Sequence, residues 1–356
     1  MPRLVPHETI SRIGIALFEA AGAPADYARV VVDHLIESSL MGHDSHGVLR
    51  IPEYLDDVAL GRIVSAALVA VERPSPTTAI VNGGGTFGAV VGRAAIDEAI
   101  RTAREHRLAC AITRRCHHVG RLGAFVERAA RSGLIALATC NSPVYGHCVL
   151  PWGGREGRLA TNPIAYGVPT GGDPLVADFS TSVAPEGKIR FHRNQGKPLP
   201  AGWLLDAEGR PTTDASALYA TPPGGILPLG GAAGHKGFAL GLLVEILGAA
   251  LAGHASNDTN VIGNGVCFIV IDPAAFGPLG QFKQLVSDTV AYIKSSPPAV
   301  GFDEVLVPGE LEFRTMRRRA QEGVPVDDVT WRAIDAHAQR LGVGRGLGIR
   351  SDLGVE

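Results

Sequence analysis

The sequence predicts an α/β protein, and three observations carry that reading. From about residue 77, strand-length apolar runs alternate with amphipathic helical stretches. Hydrophobic residues make up 46% of the chain against 19% charged, with a mean hydropathy of +0.15. That is rich enough for large buried sheets and a buried subunit interface. At 356 residues, two intertwined lobes are the expected organisation.

The elements follow in order. Residues 25–41 repeat apolar side chains at Ala28, Val31, Val32, Leu35, Ile36 and Leu40, a helix entered after Pro24 and stopped by Gly42. TTAIV (77–81), LACAIT (108–113), IALATC (135–140), PLVADFS (174–180) and VCFIVID (266–272) read as buried strands. Helices are expected between them at 88–106, 120–132 and 236–252. The segment 190–234 is dense in Gly and Pro and reads as one long, ordered, functional loop. The tail reads as two short helices broken at Pro325, and the last dozen residues are expected to fray.

Charge and cysteine usage exclude several classes. A net charge of -2, from 33 basic and 35 acidic residues, offers no field for nucleic acid or an anionic membrane. The basic run Arg314–Arg319 alternates with Glu310, Glu312 and Glu322, as a solvated helix face does. Five cysteines without CxxC spacing indicate neither a zinc cluster nor a disulfide framework, and fit a reducing cytoplasm. No signal core opens the sequence, and the longest apolar run, Phe238–Ala252, is interrupted by Glu245.

The stretch GHDSHGVLR (42–50) is the densest in chemistry. His43, Asp44 and His46 offer a partial zinc set, but not in HExxH spacing. Ser45 lacks the G-x-S-x-G elbow of a serine hydrolase, having His43 where Gly is required. A third reading pairs Arg50, able to grip a carboxylate through two parallel hydrogen bonds, with the proton-transferring His46 and with Tyr54 one helical turn on. Pro52 argues against an uninterrupted helix through them, and a plain helix entry capped by Ser45 fits the stretch equally.

Elsewhere, His118 stands at a loop tip in CHHVGRLG (116–123), where backbone N–H groups after Gly120 suit a phosphate. Gly234–His235–Lys236 opens another helix that suits an anion. GGGTFG (83–88) matches the dinucleotide fingerprint literally. The next strand, however, ends in Thr113, Arg114 and Arg115 where an acidic ribose clamp belongs, so an ordinary turn is the better reading.

In order and spacing, GHDSHGVLRIPEY, HHVGRLG, PWGGREGRLATNP, DFSTSVAPEGK, LPAGWLLDAEGRPTTD, GHKGFALGLLVEILGAAL, DPAAFG and VPGELE resemble the malate/L-lactate dehydrogenase family that is unrelated in fold to Rossmann lactate and malate dehydrogenases. The motif forms look nearest the hydroxycarboxylate dehydrogenase B type. The resemblance implies a mixed β-sheet, L-sulfolactate dehydrogenase-like fold for NAD, with NADP an alternative. It implies a helical domain from 1–75 with 290–356 and a cofactor domain over 76–289, in a homodimer. The implied activity is interconversion of 2-oxo and 2-hydroxy acids such as pyruvate, phenylpyruvate or hydroxyphenylpyruvate. Cyclic imine 2-carboxylates and malate- or ureidoglycolate-type substrates are the alternatives within the family, and a zinc hydrolase lies outside it.

Carried over by residue, the resemblance makes His46 and His118 the acid/base candidates, with Arg50 the carboxylate clamp and Ser45, Tyr54 and Ser142 on the substrate side. Cofactor contacts fall at His46, Gly120, Arg121, Leu122, Val176, Ala177, Asp178, Phe179, Ser180, His235, Asn264, Gly309, Glu310, Leu311 and Glu312, with no metal. It places the cofactor away from GGGTFG. His117, the Pro185–Glu186 pair and Asn141–Pro143 depart from the family pattern, which leaves the substrate open.

Overall fold

The computed structural model describes residues 2–343. The expected fraying of the last dozen residues lies outside them. Strand β1 (Arg3–Val5) leads into helices α1 (His7–Ala20), α2 (Ala25–Leu40) and, after a 3-10 turn at Asp44–His46, α3 (Arg50–Ala59). Gly42 takes a φ of +87°, which ends α2 as its position predicts. Pro52 sits in the first turn of α3, where a missing N–H costs no intrahelical bond, so it is compatible with the helix.

Strands β2 (Ala70–Ser75) and β3 (Thr78–Asn82) form a hairpin, followed by α4 (Gly88–His106), β4 (Leu108–Arg114), α5 (Gly123–Arg131) and β5 (Ile135–Asn141). Then come β6 (Ile164–Val168), β7 (Leu175–Phe179), α6 (Glu186–Asn194) and the two-residue strands β8 (Leu204–Leu205), β9 (Pro211–Thr212) and β10 (Gly225–Ile226). Helix α7 (Gly234–Glu245) runs on as a π-helical turn, Ile246–Ala250. Strand β11 (Gly265–Ile271), α8 (Leu279–Lys294), α9 (Glu310–Glu322), β12 (Val324–Val326) and α10 (Asp328–Arg340) complete the order.

Seven strands form a mixed sheet in the order β2-β3-β4-β11-β5-β6-β7. Only β3 and β4 pair parallel; the rest are antiparallel. Strands β3, β4, β5 and β7 therefore point the same way, and the loops at their C-terminal ends share one edge. On one face α4 and α5 bury alternate residues of the strands, among them Ala109, Ala111, Ala136, Ala138, Phe268 and Val270. The other face carries Ile112 and Cys267 beneath Leu247 and Ala252.

Chain segment Gly231–Ala250 is apolar and long enough to cross a bilayer, at mean hydropathy 1.2. Its packing is that of a sheet-covering helix: buried Glu245 accepts from Asn141 Nδ2 and Asn162 Nδ2 at 3.0 Å each, tying α7 to the ends of β5 and β6. A second core joins α1, α2, α3 and α10 around Leu17, Phe18, Leu35, Ile51 and Leu55, with β1 paired to β12.

Three expectations need correction. Strand β2 begins at residue 70, ahead of the expected boundary at 76, because it pairs with β3. Helix α8 crosses the other expected boundary at 289–290. The long loop at 190–234 belongs instead to a small module with its own core of Val149, Leu159, Ile189, Leu199, Leu204, Leu218 and Ile226, braced by the β10-β8-β9 sheet. Strand β6 also escaped the sequence reading, since IAYGV lacks a clear alternation.

The glycine run 83–88 is a turn. Asn82 Oδ1 accepts from Gly84 N at 3.0 Å, and the N–H groups of Gly83 and Gly85 donate to the carbonyls of Arg114 and Arg115. A Cβ at Gly88 would stand 2.2 Å from His118 O, so its bareness lets the β4–α5 loop lie directly on α4.

Candidate active site

The two histidines singled out from sequence meet. The rings of His46 and His118 stack at 5.6 Å between centroids, 19° from parallel. His46 comes from the turn between α2 and α3, and His118 from the loop after β4. Tyr54, on α3 and buried, holds its hydroxyl 2.6 Å from His118 Nδ1. Ser45 Oγ stands 3.0 Å from His46 Nδ1. Each ring thus has Nδ1 engaged, and Nε2 has no hydrogen bond among the described residues.

Burial sets the electrostatics. Desolvation, reinforced by the Arg50 charge, brings His46 down to about 4 and holds His118 well below the usual histidine range. Burial pushes the Tyr54 phenol up, so it keeps its proton. Both imidazoles are therefore neutral at pH 7 and poised to accept a proton.

Arg50 departs from the open clamp expected of it. Its Nη1 donates to both carboxylate oxygens of Glu53, at 2.7 and 2.6 Å, and its Nε to Ser45 O at 2.8 Å. Only Nη2 is left without a partner among the described residues. The i,i+3 spacing of Arg50 and Glu53 made this pair readable from sequence. Asp44, which a zinc reading would recruit, is held by Arg319 of α9 at 2.6 and 3.0 Å.

Beneath the loop lies a layer the sequence did not reveal. Gly120 has a φ of +79° and rests on buried His34 of α2, whose Nε2 accepts from Arg121 N at 3.1 Å. Desolvation, with the Arg121 charge, brings His34 down to about 3. Buried Arg121 pairs with Glu37 and, at 3.3 Å, with Glu127, while burial holds the Glu37 carboxyl above its usual range. An unfolded chain protonates His34 near 6.5 whereas the folded one resists until about 3. Acid therefore favours unfolding across that window, by up to about 5 kcal/mol. Denaturation midpoints of the wild type are expected to fall more steeply below pH 6.5 than those of His34→Gln, which keeps an acceptor without the titration.

The cofactor candidates divide. Arg121, Val176, Asp178, Gly309 and Glu312 line one crevice with His43, nearly closed at about 10 Å3. Arg121 Nε, buried with no partner among the described residues, offers one donor to the polar part of a dinucleotide, in a lining shared with the carboxylates of Glu127, Asp178 and Glu312. Asp178 Oδ2 accepts from Gly123 N at 2.7 Å and so caps α5, which opens at Gly123 and not at 120. The N–H groups of Arg121 and Gly123, two of those expected to take a phosphate, are thus occupied by protein acceptors. Gly120 and Leu122 flank Arg121 but lie outside the crevice lining, Ala177 is buried in β7, and Phe179 and Ser180 follow at its end.

The others lie elsewhere. Glu310 turns to Lys294, at 2.6 Å, and Leu311 is exposed. His235, at the start of α7 on the opposite face of the sheet from α5, meets Trp152 edge-on. Asn264 is fully used: Oδ1 accepts from Val119 N at 2.9 Å, and Nδ2 donates to Asn141 O at 2.9 Å and Ser142 Oγ at 3.1 Å. It fixes the histidine loop to the Ser142 turn and acts by positioning.

A family model described as malate/L-lactate dehydrogenase matches residues 5–335. The chain belongs to that family. It is similar to the malate dehydrogenase of Pyrococcus horikoshii, at 34% identity over 95% of this chain and 96% of the relative. It is also similar to hydroxycarboxylate dehydrogenase B of Escherichia coli, at 32% over 92% and 91%. The solved sulfolactate dehydrogenase of Methanocaldococcus jannaschii superimposes with a TM-score of 0.87 at 30% identity, covering 96% of this chain and 98% of that one. The fold is thus the mixed-sheet type of this family, as the sequence motifs implied. Identities this even do not single out the hydroxycarboxylate type.

Proposed function

We propose that the chain is an NAD(P)H-dependent oxidoreductase that interconverts 2-oxo and 2-hydroxy acids. The observation that carries this is the stacked His46–His118 pair, with both Nε2 atoms left for a ligand beside the Arg50 guanidinium. Malate and sulfolactate, which name two relatives, are both 2-hydroxy acids. Arg121, Asp178, Gly309 and Glu312 would hold the dinucleotide, with His43 at the crevice wall. When bound, the nicotinamide supplies or takes up the hydride.

The chain's own residues orient the acid and move the proton. Arg50 Nη2 takes the substrate carboxylate, which fixes the reacting carbon before the histidines. In oxidation a neutral imidazole accepts the hydroxyl proton; in reduction the imidazolium returns it to the alkoxide. A carboxylate beside Arg50 offsets the charge that helps hold both histidines deprotonated, so binding raises their basicity. Tyr54 keeps the His118 ring in one orientation, donating to Nδ1 or accepting from it according to the tautomer.

The test follows reduced-nicotinamide absorbance with NADH and NADPH against pyruvate, phenylpyruvate, hydroxyphenylpyruvate, oxaloacetate and pyrroline-2-carboxylate. Turnover of a 2-oxo acid supports the proposal; turnover of the cyclic imine alone, or of none by folded protein, overturns it. A pH profile adds a second check. With His46 as base, kcat/KM for oxidation is expected to hold down to about pH 4, and an inflection at 6.5 would mean that burial does not shift the group.

We further propose a homodimer in which a second copy covers α7. Leu240, Leu243, Ile246 and Leu251 stand between 39% and 49% exposed along its outward side, an apolar stripe continuous with the sheet cover. Light scattering should report a dimer, and Leu243→Glu a monomer.

A further inference from the structure

A cationic cavity lies at the same sheet edge as the histidine pair, between the Gly84–Gly85 turn, the end of β4 and the 252–265 loop. It holds about 430 Å3, inside the range of roughly 300–1,000 Å3 that small-molecule sites occupy. Arg62, Arg114, Arg115, His117 and His254 line it, and among the described residues no Asp or Glu does.

Charge balance is what sets this cavity apart. Arg62 reaches Asp57 outside the lining at 3.2 Å. Arg114 Nε donates to Ala252 O at 2.9 Å and Arg115 Nη2 to Gly84 O at 3.4 Å, and neither forms an ion pair among the described residues. Carbonyls orient these two forks without neutralising them, which leaves most of their N–H groups for a ligand. His117 Nε2 lies 3.6 Å from the same Asp57 carboxylate, while its Nδ1 is buried with no hydrogen-bond partner among the described residues. The Thr113–Arg115 strand end, wrong for a ribose clamp, and His117, a departure from the family pattern, both fall at this cavity. The catalytic proposal uses neither.

We infer that the cavity binds a small oxyanion carrying two or more negative charges, of the phosphate or polycarboxylate kind. Guanidinium forks match the paired oxygens of such anions, and the anion relieves the repulsion among the gathered cations. The site stands apart from the Arg50 clamp but adjoins the catalytic loop: His117 meets Tyr54 edge-on at 6.3 Å between ring centroids.

The test is calorimetric titration of the full chain with inorganic phosphate and with citrate at constant ionic strength, against sodium chloride as control. Saturable binding of one anion per chain is expected, weakened roughly 10-fold or more by Arg115→Gln or Arg114→Gln and unchanged by Arg50→Gln. Whichever anion binds tighter assigns the ligand as phosphate-like or polycarboxylate. Arg115 is exposed, so its variant carries the test even if Arg114→Gln, which releases the Ala252 carbonyl, fails to fold. No saturable binding by about 20 mM, binding indifferent to both variants, or binding lost with Arg50→Gln would overturn the inference. The readout is binding, so it stands or falls independently of turnover.

Discussion

Single-turnover reduction of a 2-oxo acid is expected to slow roughly 100-fold or more when the proton-transferring ring is replaced by alanine. His46→Ala and His118→Ala are the two variants, since the rings are stacked and each presents an Nε2 with no hydrogen bond among the described residues. The variant that loses chemistry while keeping substrate affinity identifies the acid/base; the other is expected to raise KM instead, because it shapes the pocket. Both variants reducing substrate at the wild-type rate would remove histidine from the mechanism. Tyr54→Phe sharpens the result: losing a hydroxyl at 2.6 Å from His118 should shift the pH profile if His118 carries the proton and leave it in place if His46 does.

Gly120→Ala is expected to cost about 3 kcal/mol, combining the strain of a left-handed L-residue with overpacking. At its φ of +79° a Cβ would stand 2.4 Å from His34 Nε2. Relieving that contact breaks the bond from Arg121 N and moves the loop that carries His118. Gly153→Ala is the control, because its φ of +83° is equally left-handed while nothing lies within 4 Å of its Cβ. The denaturant midpoint of Gly120→Ala should fall well below that of Gly153→Ala with an unchanged slope. Equal midpoints would mean that the His34 contact yields without cost.

Strands buried on both faces were legible because they are continuous apolar runs: LACAIT became β4, IALATC β5 and VCFIVID β11 within a residue at each end. Helix α2 was legible from its 3.6-residue period and its Gly42 stop. Strand β2, AVERPS, was not, because most of it is exposed at the sheet edge and its pairing with β3 is a tertiary fact. The same holds for the 190–234 segment, whose core is assembled from residues as far apart as Val149 and Ile226.

By itself the sequence determined an α/β chain with histidines at two loop tips and an arginine one turn from the first, because local periodicity and residue chemistry are written along the backbone. Only the tertiary structure decided that His46 and His118 stack, that Glu53 and Ser45 occupy most of Arg50, and that His34 lies under Gly120. It also decided that Arg114, Arg115 and Arg62 share a cavity without a carboxylate. Each of these depends on burial or on which distant groups face one another, and both arise only when the loops at the strand ends are brought to one edge of the sheet.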